Sequence, residues 1–220
     1  LKQTILNNLE SKFPMSLPSE PGLDTLACIE AAHLGKFDFA WNLGGNLYGS
    51  NPDSNFATEA LAKIDFTLYM NTTLNQGHFL GRGKTTLILP VAARDEEPEP
   101  TTQESMFSYI RLSEGGPARY FGPRSEVKII SEIAEKVLSS DPLPWDKFGK
   151  TKNTRQLISE VIPGFDALKN IDESGNEFHI EWRTLHNSEF PTPGRKANFK
   201  VCPIPAVREN SQNRFILMTV

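Results

Sequence analysis

The sequence predicts an α/β fold built on a parallel sheet, and three features predict it. Short apolar runs, too brief for helices and rich in aromatic or β-branched residues, recur at 37–41, 65–70 and 85–89. Capped or amphipathic segments lie between them, so strand and helix alternate in the order of a parallel-sheet unit. A glycine-rich stretch, Asn42-Leu-Gly-Gly-Asn-Leu-Tyr-Gly-Ser-Asn-Pro52, joins the first run to the segment behind it. In open α/β sheets ligands sit at this carboxyl end of a strand, where glycines let the backbone turn sharply and approach a bound group.

Taken in order, residues 22–35 read as a helix, with Asp24 at its start, apolar Leu26, Ala27 and Ile29, and Gly35 as the residue that ends it. The run Phe37 to Trp41 is the first strand. Pro52-Asp-Ser opens the next helix with Asp53 or Ser54 as N-cap, and Phe56, Ala57, Ala60, Leu61 and Ile64 line one face. Asp65 to Met70 is the second strand, residues 75–80 one or two helical turns, and Thr85 to Leu89 a third strand ended by Pro90. Arg94 to Glu104 is acidic and proline-rich, which predicts an exposed loop.

Beyond it, Met106 to Leu112 suits a short strand, and Ser125 to Leu138 is the clearest helix, with Val127, Ile130, Ile133, Ala134, Val137 and Leu138 at helical spacing. Asp141 to Lys150 is a connector. Thr154 to Ile162 suits a helix stopped by Pro163-Gly164, and Phe178 to Thr184 a strand. The segment from Phe190 ends in a strand pattern near Val201. Phe215 to Val220 reads as a strand just beginning, which with Leu1 at the start leads us to expect a piece of a longer protein.

Composition narrows the function. The chain has 220 residues and a net charge of −4, without the basic face that nucleic-acid binding needs. Its two cysteines, Cys28 and Cys202, form no C-x-x-C, which argues against a structural zinc or iron–sulfur site within the chain and suits a reducing cytoplasmic setting. No apolar run reaches the length of a membrane span.

Two loops compete with plainer readings. Gly44, Gly45 and Gly49 do not fit G-x-G-x-x-G, and glycines serve ordinary turns as well as ligand loops. Asn46, Ser50 and Asn51 add hydrogen-bonding groups beside them. Asn71-Thr-Thr-Leu-Asn-Gln-Gly-His78 follows the second strand at the equivalent edge, where a nucleotide would meet both loops; read alone it suits a solvated polar loop. The histidines, His33, His78, His179 and His186, show no ligand spacing, and no G-x-S-x-G elbow is present. Glu126 suits the first turn of a helix as an ordinary favourable acid.

Taken in order, Leu43-Gly-Gly-Asn46, Asn51-Pro-Asp-Ser54, Asn71-Thr-Thr-Leu-Asn75, Leu87-Ile-Leu-Pro90 and the helix from Ser125 resemble the large subunit of prokaryotic molybdopterin oxidoreductases, the dimethyl-sulfoxide-reductase superfamily, and its formate-dehydrogenase-like branch. Leu43-Gly-Gly-Asn46 is similar to that family's glycine turn. Asn51-Pro-Asp-Ser54, the helix ending Ala60-Leu-Ala-Lys-Ile-Asp-Phe66, Asn71-Thr-Thr-Leu-Asn75, Leu87-Ile-Leu-Pro90, Ser125 to Ala134, Phe190-Pro-Thr-Pro and Lys196-Ala-Asn-Phe199 follow in the family's sequence. The turn departs from the family in having Leu47 where a proline is usual, and Thr72 stands for a frequent Asp.

The resemblance implies a Rossmann-like three-layer half-domain over residues 1–150 that grips a molybdopterin guanine dinucleotide, and a connector over 151–220 leading to a C-terminal barrel. It implies a bis-molybdopterin guanine dinucleotide cofactor with molybdenum in the full-length protein, none held by this chain alone, and the rest of the same polypeptide as partner. By motif position Gly44, Gly45, Asn46 and Ser50 would meet phosphate or ribose, Asn71 and Thr72 the nucleotide, and Glu126 the guanine. The metal-ligating residue would lie elsewhere, so no catalytic or metal residue is assigned here. The alternative is a non-enzymatic α/β nucleotide-binding or interaction module.

Overall fold

The computed structural model describes residues 1–181, 190 and 192–204. The chain divides into two compact units, Leu1–Glu181 and Trp182–Val220, and every element named below lies in the first. The helices are α1 Lys2–Lys12, α2 Thr25–His33, α3 Ser54–Leu61, α4 Gly77–Leu80, α5 Glu126–Val137, α6 Trp145–Phe148, α7 Thr151–Val161 and α8 Ile171–Ser174.

The predicted parallel sheet is present. Strands β1 Phe39–Leu43, β2 Phe66–Asn71 and β3 Thr85–Pro90 lie side by side in sequence order, with Trp41 beside Leu68 and Leu68 beside Leu87. Successive side chains point to opposite faces. On one face Ala40 packs under Ile29 and Ala32 of α2, and under Ala60, Leu61 and Ile64 of α3 and the turn after it. On the other, Trp41, Met70, Leu89 and Val91 meet Ile129, Ile130 and Ile133 of α5. The result is an α/β/α arrangement. Fully burying each of Ile29, Leu61 and Ile64, all 2% exposed or less, contributes about 1.5–3 kcal/mol.

Local chemistry fixes the helix starts. Asp24 accepts from the Ala27 N–H at 2.8 Å and Asp53 from the Phe56 N–H at 2.9 Å, both as N-caps. β1 runs two residues past its apolar run, because Asn42 and Leu43 still pair with Tyr69 and Met70. Pro90 ends β3; lacking an N–H it leaves the ladder as acceptor only, its carbonyl taking the Arg124 N–H at 3.3 Å.

The segment 94–104 departs from the exposed loop its composition predicts. Glu97 is only 7% exposed, Glu99 accepts from the Thr151 N–H at 2.9 Å at the start of α7, and Thr101–Glu104 is a strand, β4. The carboxylates of Glu96 and Glu99 take backbone donors, which composition cannot register. Gly116 N–H meets the Glu97 carbonyl at 3.0 Å, and a Cβ on Gly115 would sit 2.0 Å from that oxygen, so this close approach requires glycine.

β4 pairs antiparallel with β5 Tyr109–Ser113, which pairs with β6 Phe178–His179. The predicted strand from Met106 thus starts at Tyr109, after a turn closed by Ser108 N–H to the Ser105 carbonyl. Ile110, Phe165, Leu168, Ile171 and Ile180 form the core of this second sheet and its helices. The predicted helix from Thr154 begins at Thr151, and the connector before it contains α6. Segment 151–181 belongs to the same compact unit as residues 1–150.

The remainder of the strand expected to Thr184, and the one expected at Phe215–Val220, lie outside the described residues. Residues 192–204 hold a turn in which Thr192 Oγ1 accepts from the Lys196 N–H, and the strand expected toward Val201 is not formed among them. α1, which carries no buried residue and no clear periodicity, is held to α7 by Asn8 Nδ2 donating to the Val161 carbonyl at 2.9 Å and by the Lys12–Glu160 ion pair.

Candidate functional site

The carboxyl edge of the parallel sheet carries three loops. The first leaves β1. Gly44 extends the ladder by donating its N–H to the Met70 carbonyl at 2.8 Å. Gly44 and Gly45 then take φ of +63° and +68°, the left-handed region that other L-residues enter only with strain. A helical turn follows, with Ser50 N–H on the Asn46 carbonyl at 3.0 Å and Asn46 Oδ1 accepting from Gly49 N–H at 2.9 Å.

That geometry leaves the N–H groups of Gly45, Asn46, Leu47 and Tyr48 without an acceptor among the described residues. Consecutive free N–H groups at a turn form a concavity of partial positive charge suited to an anion.

The second loop follows β2 and is tied to the first. The Gly45 carbonyl accepts from Asn71 Nδ2 at 3.2 Å and from Asn75 Nδ2 at 2.9 Å. Asn71 Oδ1 lies 3.1 Å from His78 Nε2, and His78 Nδ1 accepts from the Asn75 N–H at 2.8 Å. Since Nδ1 is the acceptor, the imidazole carries its proton on Nε2 and donates it to Asn71. Asn75 Oδ1 takes the Gly77 N–H at 2.9 Å. His78 is 2% exposed, with its ring edge-on to Tyr69 at 4.9 Å. Tyr69 in turn donates to the Gly81 carbonyl at 2.6 Å, and burial raises its phenol pKa. The polar loop is therefore internally bonded rather than solvated throughout.

Asn46 locks the two loops sterically. A Cβ on Gly49 would lie 2.4 Å from Asn46 Nδ2, and one on Gly77 2.6 Å from Asn46 Oδ1, so both glycines make room for that side chain.

The third loop brings in Glu126. Val91, just after β3, forms an isolated parallel bridge to Arg124, and α5 starts two residues later. Burial, and secondarily the charge of Glu97, raises the Glu126 carboxyl pKa. Glu97 Oε2 itself is buried without a hydrogen-bond partner among the described residues.

The residues proposed from sequence fall at three places: Gly44, Gly45, Asn46 and Ser50 after β1, Asn71 at the end of β2 with Thr72 just beyond it, and Glu126 at the first residue of α5. They do not play equal parts. Gly45, Ser50 and Thr72 are exposed. Asn71 is 8% exposed and spends both amide atoms inside the protein, holding the loops together. Asn75 and His78 join the site only through these contacts; their signal in the sequence is the three-residue spacing that lets the imidazole cap the turn it belongs to. His33 packs on Phe56 and His179 on Tyr109, while His186 lies outside the described residues. Among the described residues no His, Cys, Asp and Glu side chains group as metal ligands, and no helix is long and apolar enough to cross a membrane.

No family model matches the chain. It is similar to proteins named uncharacterized oxidoreductase from Mycobacterium bovis and from two strains of Mycobacterium tuberculosis, being 30% identical to each over 215 residues. The match covers 93% of this chain and 27% of each relative, so the chain spans about a quarter of the length of the curated relatives it matches.

Proposed function

We propose that this chain is the guanine-dinucleotide-binding part of an oxidoreductase, and that the full-length protein is a molybdopterin enzyme of formate-dehydrogenase-like type. The observation that carries the reading is the run of unpartnered N–H groups from Gly45 to Tyr48 at the carboxyl edge of a parallel sheet. Those donors suit a phosphate: they are consecutive at a glycine turn, the Gly45 carbonyl among them is held by two side-chain amides, and no protein acceptor among the described residues competes for them. Similarity to proteins named oxidoreductase supports the activity class, and the ordered motifs support the cofactor.

Under this reading the residues bind and orient. The Gly45–Tyr48 amides hold phosphate, the exposed Thr72 hydroxyl reaches phosphate or ribose, Ser50 Oγ, whose proton goes to the Leu47 carbonyl at 3.2 Å, accepts from ribose, and Glu126 accepts hydrogen bonds from the donor edge of guanine. When bound, the molybdenum–pterin group supplies two-electron transfer between a small substrate and an acceptor. This chain supplies position and a fixed field of dipoles, and the reacting centre is held by other parts of the polypeptide.

Calorimetric titration of the cofactor-free full-length protein with GDP, with ADP and guanosine as controls, tests the reading. GDP should bind more tightly than either control, and Gly45→Val should abolish the advantage over guanosine. Equal affinity for all three would overturn the reading.

A further inference from the structure

We infer that His78 is the positioning residue of the phosphate-binding turn, acting through Asn71 on the peptide between Gly45 and Asn46; the inference rests on the nucleotide-binding reading above. A trans peptide is planar, so the direction of its carbonyl sets the opposite direction of its N–H. The carbonyl of Gly45 therefore aims the N–H of Asn46, which lies inside the unpartnered run. Both acceptor directions of that carbonyl are occupied, by Asn71 Nδ2 at 3.2 Å and Asn75 Nδ2 at 2.9 Å.

Glycine at 45 makes this restraint necessary. With φ of +68° and no Cβ, the residue has little conformational preference of its own, so the peptide can rotate unless bonded. The two amides would not restrain it if they were free to turn. Asn71 is fixed because its Oδ1 receives His78 Nε2–H at 3.1 Å, which also decides which end of the amide faces Gly45. His78 is fixed because Nδ1 receives the Asn75 N–H at 2.8 Å and the ring is enclosed, 2% exposed, against Tyr69.

The donors run in one direction: Asn75 N–H to His78, His78 to Asn71, Asn71 to the Gly45 carbonyl. The polarity of the whole relay is set by one tautomer. His78 touches no ligand, yet its Nε2–H determines whether the Asn46 N–H points out of the turn.

Two substitutions separate this role from simple filling of the interior. Glutamine at 78 reaches far enough to keep a donor for Asn71, whereas asparagine keeps only the acceptor for the Asn75 N–H. GDP and guanosine are titrated into the cofactor-free full-length protein and its His78→Gln and His78→Asn variants, with thermal unfolding recorded for each. His78→Asn should weaken GDP roughly tenfold and leave guanosine unchanged, while His78→Gln should stay within about threefold of wild type. If both variants weaken GDP equally, or if affinity simply follows thermal stability, the inference is overturned and the nucleotide reading stands. If wild type binds GDP no better than guanosine, the nucleotide reading itself fails, and the inference with it. Nitrogen NMR of histidine-labelled wild type is independent of the variants' folding: it should show the His78 proton on Nε2, and a proton on Nδ1 would break the relay.

Discussion

Asn71 and Gly45 belong to different loops, and a hydrogen bond of 3.2 Å from Asn71 Nδ2 to the Gly45 carbonyl joins them. It ties the ends of β1 and β2 together, and the Gly45 carbonyl, which also accepts from Asn75 Nδ2, is held by two side-chain amides.

Substitutions at Gly45 should rank by tolerance of the left-handed region. No atom would contact a Cβ there within 4 Å, so the cost is conformational rather than steric. Gly45→Ala should destabilise by about 1–2 kcal/mol, Gly45→Val by more, and Gly45→Asn by less. Urea denaturation of the full-length protein measures the order; equal costs for Asn and Val would contradict it.

Gly77→Ala should clash, since its Cβ would fall 2.6 Å from Asn46 Oδ1 and 3.0 Å from Asn75 Oδ1. Overpacking of this kind costs about 1–3 kcal/mol. Adding Asn46→Ala removes the nearest clash, so the double variant should be more stable than the sum of the single effects. Simple additivity would show that Asn46 is not what Gly77 accommodates.

Arg155 and Asp172 form the ion pair whose side chains are 4% and 15% exposed, at 2.5 Å, and Arg155 also donates to the Pro100 carbonyl at 2.6 Å. Arg155→Met leaves Asp172 poorly solvated and should destabilise by about 3–5 kcal/mol. Arg155→Met with Asp172→Leu should recover part of the loss. Denaturation midpoints of the two proteins decide it.

Glu126 should impose a pH dependence of known sign. Its folded pKa is raised, first by burial and then by Glu97. The folded state therefore holds the proton more tightly than the unfolded chain, and the stabilisation is complete below the unfolded carboxyl range and lost as pH rises through the raised value. Glu126→Gln should accordingly be more stable than wild type at neutral pH, with the difference vanishing in acid, while it loses preference for GDP over ADP. A variant less stable at neutral pH would contradict the assignment.

The sheet was legible because its strands are short apolar runs and its helices carry Asp24 and Asp53 as caps, all local signals. The glycine turn and its edge were legible for the same reason. What escaped depends on distant partners. Glu97 and Glu99 look solvated by composition, yet meet Gly116 through the backbone and Thr151 through a carboxylate. The strand β4 exists through its pairing with β5. Asn71 reads as a ligand contact, whereas its amide is consumed by Gly45 and His78, a relation between loops that no single stretch encodes.

Under the proposed function, this edge holds a guanine dinucleotide in a molybdenum oxidoreductase. The most direct test is to purify the full-length protein from cells supplied with molybdate, hydrolyse it in acid, and quantify released GMP and bound metal together. The account predicts stoichiometric GMP accompanied by molybdenum or tungsten, with both depleted in Gly45→Val. A well-folded full-length protein with neither guanine nucleotide nor metal would contradict it.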